Sequence, residues 1–341
     1  MSCVLLAQFL PFPEVAMVGG KVRYLARHGD DYDVLFLGSS HVEMQIIPAI
    51  FDRVAGANGV PVKSFNGGIA AMFSPENGYL LEAMLRCPHR RLRWVFIELS
   101  PIAIKAAGEQ TSRFAYWHDN ARLMLVVRRV CEEFVRTRQQ VNEKSNATFT
   151  DRWMTWWTTG RQLGEHVWAW LLRGINFGRG CDALNRWAGT PGWKDDVRES
   201  VGKEGDGWIG ARQEFQVMPE AEQKNYDRAY AARLESPAVK DRNDEVFQAG
   251  LERMVNAIVK AGAQPILLVA PAPDARDFYP TVDRERELTI LDFSDVRQNA
   301  ELFLPEHRLD VAHLNTVGAK LFTEDLARRF AALAKKQASP R

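Results

Sequence analysis

Two short clusters in this chain carry residue types that can do covalent chemistry. Gly38-Ser39-Ser40-His41 follows the apolar run Val34-Leu35-Phe36-Leu37, and Asp310-Val311-Ala312-His313-Leu314-Asn315 precedes a helical pattern that begins near Thr316. A serine hydroxyl is a weak nucleophile until a neighbouring base takes its proton, and a histidine serves as that base when a carboxylate orients it. The first cluster offers serines on a sharp, glycine-permitted turn at the end of a strand, and the second offers the histidine and the carboxylate. Neither is specific alone, because Gly and Ser are ordinary turn residues. Their joint placement at opposite ends of an α/β pattern is what points to nucleophilic catalysis.

The elements that must bring them together are legible. Val34–Leu37, Trp94–Ile97 and Ile266–Val269 are short, continuous apolar runs bounded by polar or turn residues, the pattern of strands buried on both faces of a parallel sheet. Val62–Phe65 and Leu288–Phe293 are weaker strand candidates. Phe247, Leu251, Met254 and Ile258 share one helical face that ends at Gly262, and Phe322, Leu326, Phe330 and Leu333 repeat the geometry near the C-terminus. This alternation predicts a three-layer α/β/α sandwich around a parallel sheet of about five strands. In such a sheet reactive groups sit beyond the carboxyl ends of the strands.

Residues 119–244 break the alternation. No strong strand occurs there; Ala121–Gln140 and Asp151–Leu172 read as two long helices, and 189–240 as charged, Gly-containing loops with short helices. The reading is therefore a discontinuous α/β domain, 31–118 with 245–334, preceded by a segment at 1–30 and interrupted by a Trp-rich insertion at 119–244, with a frayed tail at 335–341. The insertion's tryptophans fit sugar stacking or a lipid interface, but the expectation is that Trp153, Trp157 and Trp168 pack its helices onto the core.

Composition excludes other classes. Lys and Arg number 44 against 43 Asp and Glu, so no excess of positive charge points to nucleic acid as a partner. Cys3, Cys87, Cys131 and Cys181 show neither a CxxC pair nor a metal-ligand spacing and read as buried free thiols. His307, Asp310 and His313 recur at intervals of three, but no third firm ligand lies near them, so no metal or other cofactor is expected. No apolar run is long enough for a spanning helix, and Met1–Pro13 lacks the basic start of an export signal.

With these residues in place, the chain resembles the SGNH hydrolase superfamily, and within it the cell-envelope branch of D-alanyl transfer and polysaccharide O-acetylation proteins. The resemblance covers roughly residues 30–105 and 245–335. It implies that Ser40 is the nucleophile, His313 the general base and Asp310 its orienter. It also implies that the N–H groups of Ser40 and Gly68, the latter within Phe65-Asn66-Gly67-Gly68-Ile69, form the oxyanion hole. Ser39, His41, Asn66, Glu98 and Ser100 are further candidates for lining the site; His41 fits a substrate or Ser39 contact and equally a structural hydrogen bond. One block departs from the family pattern: where Gly-x-Asn-Asp is expected after the third strand, the chain has Ile97-Glu98-Leu99-Ser100-Pro101, so the Asn donor is missing. An oxyanion donor of that kind is worth about 10²–10³ in rate.

The implied activity is hydrolysis or transfer of an acyl group, chiefly acetyl, on carbohydrate, with a membrane-bound acyl-donor protein as a possible partner and the cell envelope or periplasm as the compartment. The alternative is a non-catalytic carbohydrate-binding or envelope-assembly protein that retains the fold.

Overall fold

The computed structural model describes residues 18–100, 117–143, 148–174, 200–210, 218–235, 245–273 and 288–338. Five strands, β1 (Val34–Leu37), β2 (Ser64–Asn66), β3 (Trp94–Glu98), β4 (Gln264–Val269) and β5 (Thr289–Asp292), form one all-parallel sheet in the order β2-β1-β3-β4-β5. The helices are α1 (Val18–His28), α2 (Ser40–Gln45), α3 (Pro48–Ala57), α4 (Glu76–Leu85), α5 (Asn120–Glu143), α6 (Phe149–Gly174), α7 (Glu220–Glu235), α8 (Glu245–Lys260) and α9 (Thr316–Ala338). The expected α/β/α architecture with a five-stranded parallel sheet is borne out. Its strand order reverses between β1 and β3, and open α/β sheets bind ligands at that switch point.

Every residue of β1 is buried, which is why its sequence is apolar without alternation. On one face of the sheet, α3 and α9 pack Phe51, Phe322, Leu326 and Phe330 against Phe36, Phe96 and Ile266. On the other lie α1, α4 and α8. The stripe Phe247, Leu251, Met254 and Ile258 of α8 is buried, and Gly262, at φ 82°, takes the left-handed conformation that ends the helix before β4.

Packing divides the chain into two units, Gly20–Ile102 with Asp195–Arg341, and Met1–Gly19 with Ala103–Lys194. Residues 200–210 and α7, read from the sequence as part of the insertion, thus belong to the sheet unit. Where loops and short helices are expected, α7 runs for 16 residues. It is docked by few but specific contacts: Tyr226 Oη donates to the Phe303 carbonyl, and Arg233 Nη2 to Ser294 Oγ at 2.7 Å. The tail also differs from expectation. α9 continues through Lys335 and Lys336 to Ala338, because Ala331 and Ala334 extend its buried stripe. Burial pushes the Cys87 thiol up to about 11, whereas Cys131 is exposed rather than buried; Cys3 and Cys181 lie outside the described residues.

In the other unit α5 and α6 pack together, with the rings of His118 and His166 stacked at 5.0 Å and fully buried. The expected burial of Trp153, Trp157 and Trp168 is not found; all three are on the surface. Burial, then the nearby Arg122, lowers His118 to about 3 and His166 to about 4. Both imidazoles are thus held neutral in the folded state. An unfolded histidine binds its proton near 6.5, so their contribution to stability is complete above that pH and is lost as pH falls toward 4 and then 3. Acidification from pH 7 to pH 4 is expected to lower the amide protection factors of α5 and α6, that is, exchange corrected for its intrinsic pH dependence, and His118→Phe with His166→Phe to flatten that dependence.

Candidate active site

The turn after β1 is built around a buried carboxylate. Gly38 leaves no room for a side chain: a Cβ there would lie 2.4 Å from Glu98 Oε2 and 2.4 Å from Val42 Cγ2. The chain therefore passes against the end of β3 and turns directly into α2. Ser39 Oγ accepts the His41 N–H at 3.3 Å, capping α2, and Ser40 is its first residue. Glu98 accepts from the Ser39 N–H at 2.5 Å, from Ser39 Oγ at 3.1 Å and from His41 Nδ1 at 2.7 Å. Burial alone would raise the Glu98 pKa, but the charge and hydrogen bond of His41 and the Ser39 donors outweigh it and lower it. Glu98 is therefore an ionised anchor for the Ser39–Ser40 turn.

Two substitutions follow from this packing. Gly38→Ala is expected to destabilise the fold by about 1–3 kcal/mol through overpacking, measured as a lower denaturation midpoint. Glu98→Gln keeps the shape but loses charge-assisted acceptors, and is expected to cost about 1–3 kcal/mol, with a fall in any Ser40-dependent rate.

The second cluster is held from below. Asn315 Oδ1 accepts the N–H groups of Val317 and Gly318, both at 3.0 Å, which caps α9, and its Nδ2 donates to the Glu306 carbonyl at 2.7 Å. Arg308, fully buried, donates to the carbonyls of Pro271 at 2.6 Å and Val311 at 2.7 Å, tying the 308–313 loop to the segment that follows β4. Within that loop Asp310 Oδ1 accepts the N–H groups of Ala312 and His313, both at 2.8 Å.

These supports bring together the residues that the sequence singles out. Ser40 Oγ lies 2.7 Å from His313 Nε2, and His313 Nδ1 lies 2.9 Å from both Asp310 oxygens. Burial would raise Asp310, yet the His313 ring and the two backbone donors hold it down to about 2. An ionised Asp310 only accepts, so Nδ1 carries a proton, and in the neutral imidazole the Nε2 lone pair then faces the Ser40 hydroxyl. This is the protonation state in which an imidazole removes a serine proton.

The oxyanion expectation needs correction at Gly68. Asn66 Nδ2 donates to the carbonyls of Val42 and Ile46, each at 2.7 Å, so its Oδ1 faces and accepts the Gly68 N–H at 2.9 Å. Gly68 is small for another reason: a Cβ would lie 2.4 Å from the Glu43 nitrogen. Asn66 is thus a strut beneath α2, and the Gly68 N–H is engaged within the protein. The Ser40 N–H, at the first turn of α2, donates to no acceptor among the described residues. Of the remaining candidates, His41 lies beside His313, the two rings tilted by 48° with centroids 5.3 Å apart. Ser100 is buried just past β3 and makes no hydrogen bond to Ser40 or His313. His307, its Nδ1 on the Glu301 carbonyl at 2.7 Å, takes no part in the triad.

Sequence reasoning missed two fully buried cations near the site. Arg308 is one. Lys21 is the other, fully buried, with Nζ donating to the carbonyls of Asn66 at 3.2 Å, Gly68 at 2.5 Å and Gly207 at 2.8 Å, and lying 3.8 Å from Glu43. Glu43 in turn accepts the Ala70 N–H at 2.9 Å. A signal for Lys21 exists: it falls among Val18, Val22 and Leu25 on the apolar stripe of α1, where a charge needs internal partners.

A scan of protein-family models and searches of curated proteins and of solved structures return no match to this chain. The chemistry of the site therefore rests on its own geometry.

Proposed function

We propose that the protein is a serine-dependent acyl hydrolase or acyltransferase of the SGNH type, acting on O-acyl esters of carbohydrate. The observation that carries this reading is the Ser40–His313–Asp310 relay, with its 2.7 Å and 2.9 Å links. In the proposed reaction Ser40 Oγ attacks the ester carbonyl as its proton passes to His313 Nε2. The Ser40 N–H donates to the oxyanion, and His313 returns the proton to the departing alcohol. An acyl-Ser40 ester remains. Water or a sugar hydroxyl, deprotonated in turn by His313, then attacks it, releasing acid in the first case and a new ester in the second. The preference for O-acetyl carbohydrate and for the cell envelope is supported by the resemblance of the two sequence clusters.

A second reading, a carbohydrate-binding or envelope-assembly protein without turnover, draws on a specific observation. The Gly68 N–H is bonded to Asn66, and the block that should supply an Asn holds Glu98 instead. A fluorophosphonate probe separates the two. Labelling of the folded protein that disappears in Ser40→Ala supports the enzyme; absence of labelling in the folded wild type overturns it. Release of acetate from p-nitrophenyl acetate with and without a sugar acceptor then distinguishes transfer from hydrolysis.

A further inference from the structure

The α5–α6 unit carries a surface that the proposed chemistry does not use. On α6, Trp153, Trp156, Trp157 and Trp168 are 58%, 59%, 59% and 54% exposed, and Val167 and Leu171 are 41% and 45% exposed. At 100° per residue these six positions fall within about a third of the helix circumference. The two residues between them on that face are glycines, Gly160 and Gly164, and no atom lies within 4 Å of a Cβ placed on either. The stripe runs from Trp153 to Leu171, about 27 Å at the usual rise.

The opposite side of α6 is where the unit packs, through His166 and Ala169. The stripe's edge is continued by α5. Phe134 touches Trp156, ring to ring at 4.6 Å, and Met124 and Val135, both exposed, lie together about a quarter turn round α5 from Phe134.

The chemistry of this face selects its occupant. Protein interfaces carry roughly one hydrogen bond per 100–200 Å², but from Trp153 to Leu171 the stripe presents no polar side chain beyond the indole N–H groups. Sugar platforms need flanking hydrogen-bond groups for the same reason. Indoles with Leu, Val and Gly between them suit a fluid apolar phase with a wet boundary. The charge is complementary to a bilayer surface as well: residues 117–174 contain nine Arg and Lys against six Asp and Glu. No described helix is long and apolar enough to cross a membrane. An amphipathic helix lying in the headgroup region needs no such length.

We propose that α6, bordered by α5, is a peripheral membrane-docking surface that inserts its tryptophan stripe into the interface of an anionic bilayer. The proposal stands apart from the serine chemistry.

The test is co-sedimentation of the full chain with vesicles of phosphatidylcholine plus phosphatidylserine, and of phosphatidylcholine alone. Binding to the anionic vesicles is expected, weaker on phosphatidylcholine alone and weakened by salt. Trp153→Gln, Trp157→Gln and Trp168→Gln together are expected to lower partitioning at least about tenfold. Glutamine is a good helix former at an exposed site, so unchanged far-UV circular dichroism is the control. Should that variant lose helicity, Arg161→Glu, on the exposed flank of the α6 stripe, with Arg138→Glu, one turn beyond Phe134 on α5, replaces it, with loss of the anionic preference as the expected result. Failure of the folded wild type to bind, or equal binding by the folded variants, overturns the proposal. So does a wild-type dimer in sedimentation that vesicles do not compete away and the tryptophan variant abolishes, which would assign the stripe to a second copy.

Discussion

Ser40→Ala, and separately His313→Ala, is expected to reduce kcat on an activated acetyl ester by about 10⁴- to 10⁶-fold, and the double variant to be no worse than either single one. The reasoning lies in the coupling between the two side chains. Without the imidazole at 2.7 Å the hydroxyl has no proton acceptor, and without the hydroxyl the imidazole has nothing to activate. Losses from groups that act as one unit do not add. Asp310→Asn is expected to be nearly as damaging, because an amide in place of the acceptor-only carboxylate lets Nδ1 accept and turns the Nε2 proton toward Ser40. Steady-state rates for the four variants, each checked for folding, decide the matter. Multiplying losses, or an Asp310→Asn protein with wild-type rate, would remove the relay as the engine of the reaction.

Lys21→Met is expected to cost about 3–5 kcal/mol of stability, the largest effect of any substitution away from the triad. Methionine fills similar volume, but the carbonyls of Asn66, Gly68 and Gly207 lose their donor and Glu43 loses its nearby cation. The measurement is the denaturation midpoint in urea. Alkaline pH gives a second handle. Burial, outweighing Glu43 and Asp206, lowers Lys21 to about 8, against 10.5 as the ordinary value. Between those values the unfolded chain binds more protons than the folded one, so the Lys21 contribution to stability rises with pH from about 8 to about 10.5. Comparing wild type with Lys21→Met across that window isolates the term, and parallel pH profiles would show that Lys21 is not the group responsible.

The parts of the fold that were legible are those where burial leaves a one-dimensional trace. β1, buried along its whole length, reads as unbroken apolar sequence, and α8 and α9 reveal themselves by a stripe at helical spacing. α7 leaves only a faint trace, since its contact face is Tyr226, Tyr230, Arg233 and Leu234, two of them anchored by polar atoms, and the rest of its surface is charged. The triad was legible because three reactive residue types stood at the right edges of a recognisable sheet. The fate of the Gly68 N–H was not, since it depends on which way the Asn66 amide faces, and that is set by the carbonyls at the end of α2. Arg308 was invisible for a related reason. Arginine is ordinarily a surface residue, and nothing local announces that its partners are the carbonyls of Pro271 and Val311. The tryptophans were plain as a composition, but whether a Trp-rich helix faces inward or outward is decided by the helix it packs against.

The proposed nucleophile and base stand 273 residues apart. During synthesis at about 5–20 residues per second, Ser40 leaves the ribosome well before His313 exists. Through that interval the serine has no base beside it, and even the finished chain must close a loop of 273 residues before the two side chains meet. If Ser40 acts as proposed, its reactivity therefore reports completion of the whole sheet, and a nascent chain stalled short of His313 is expected to be chemically silent.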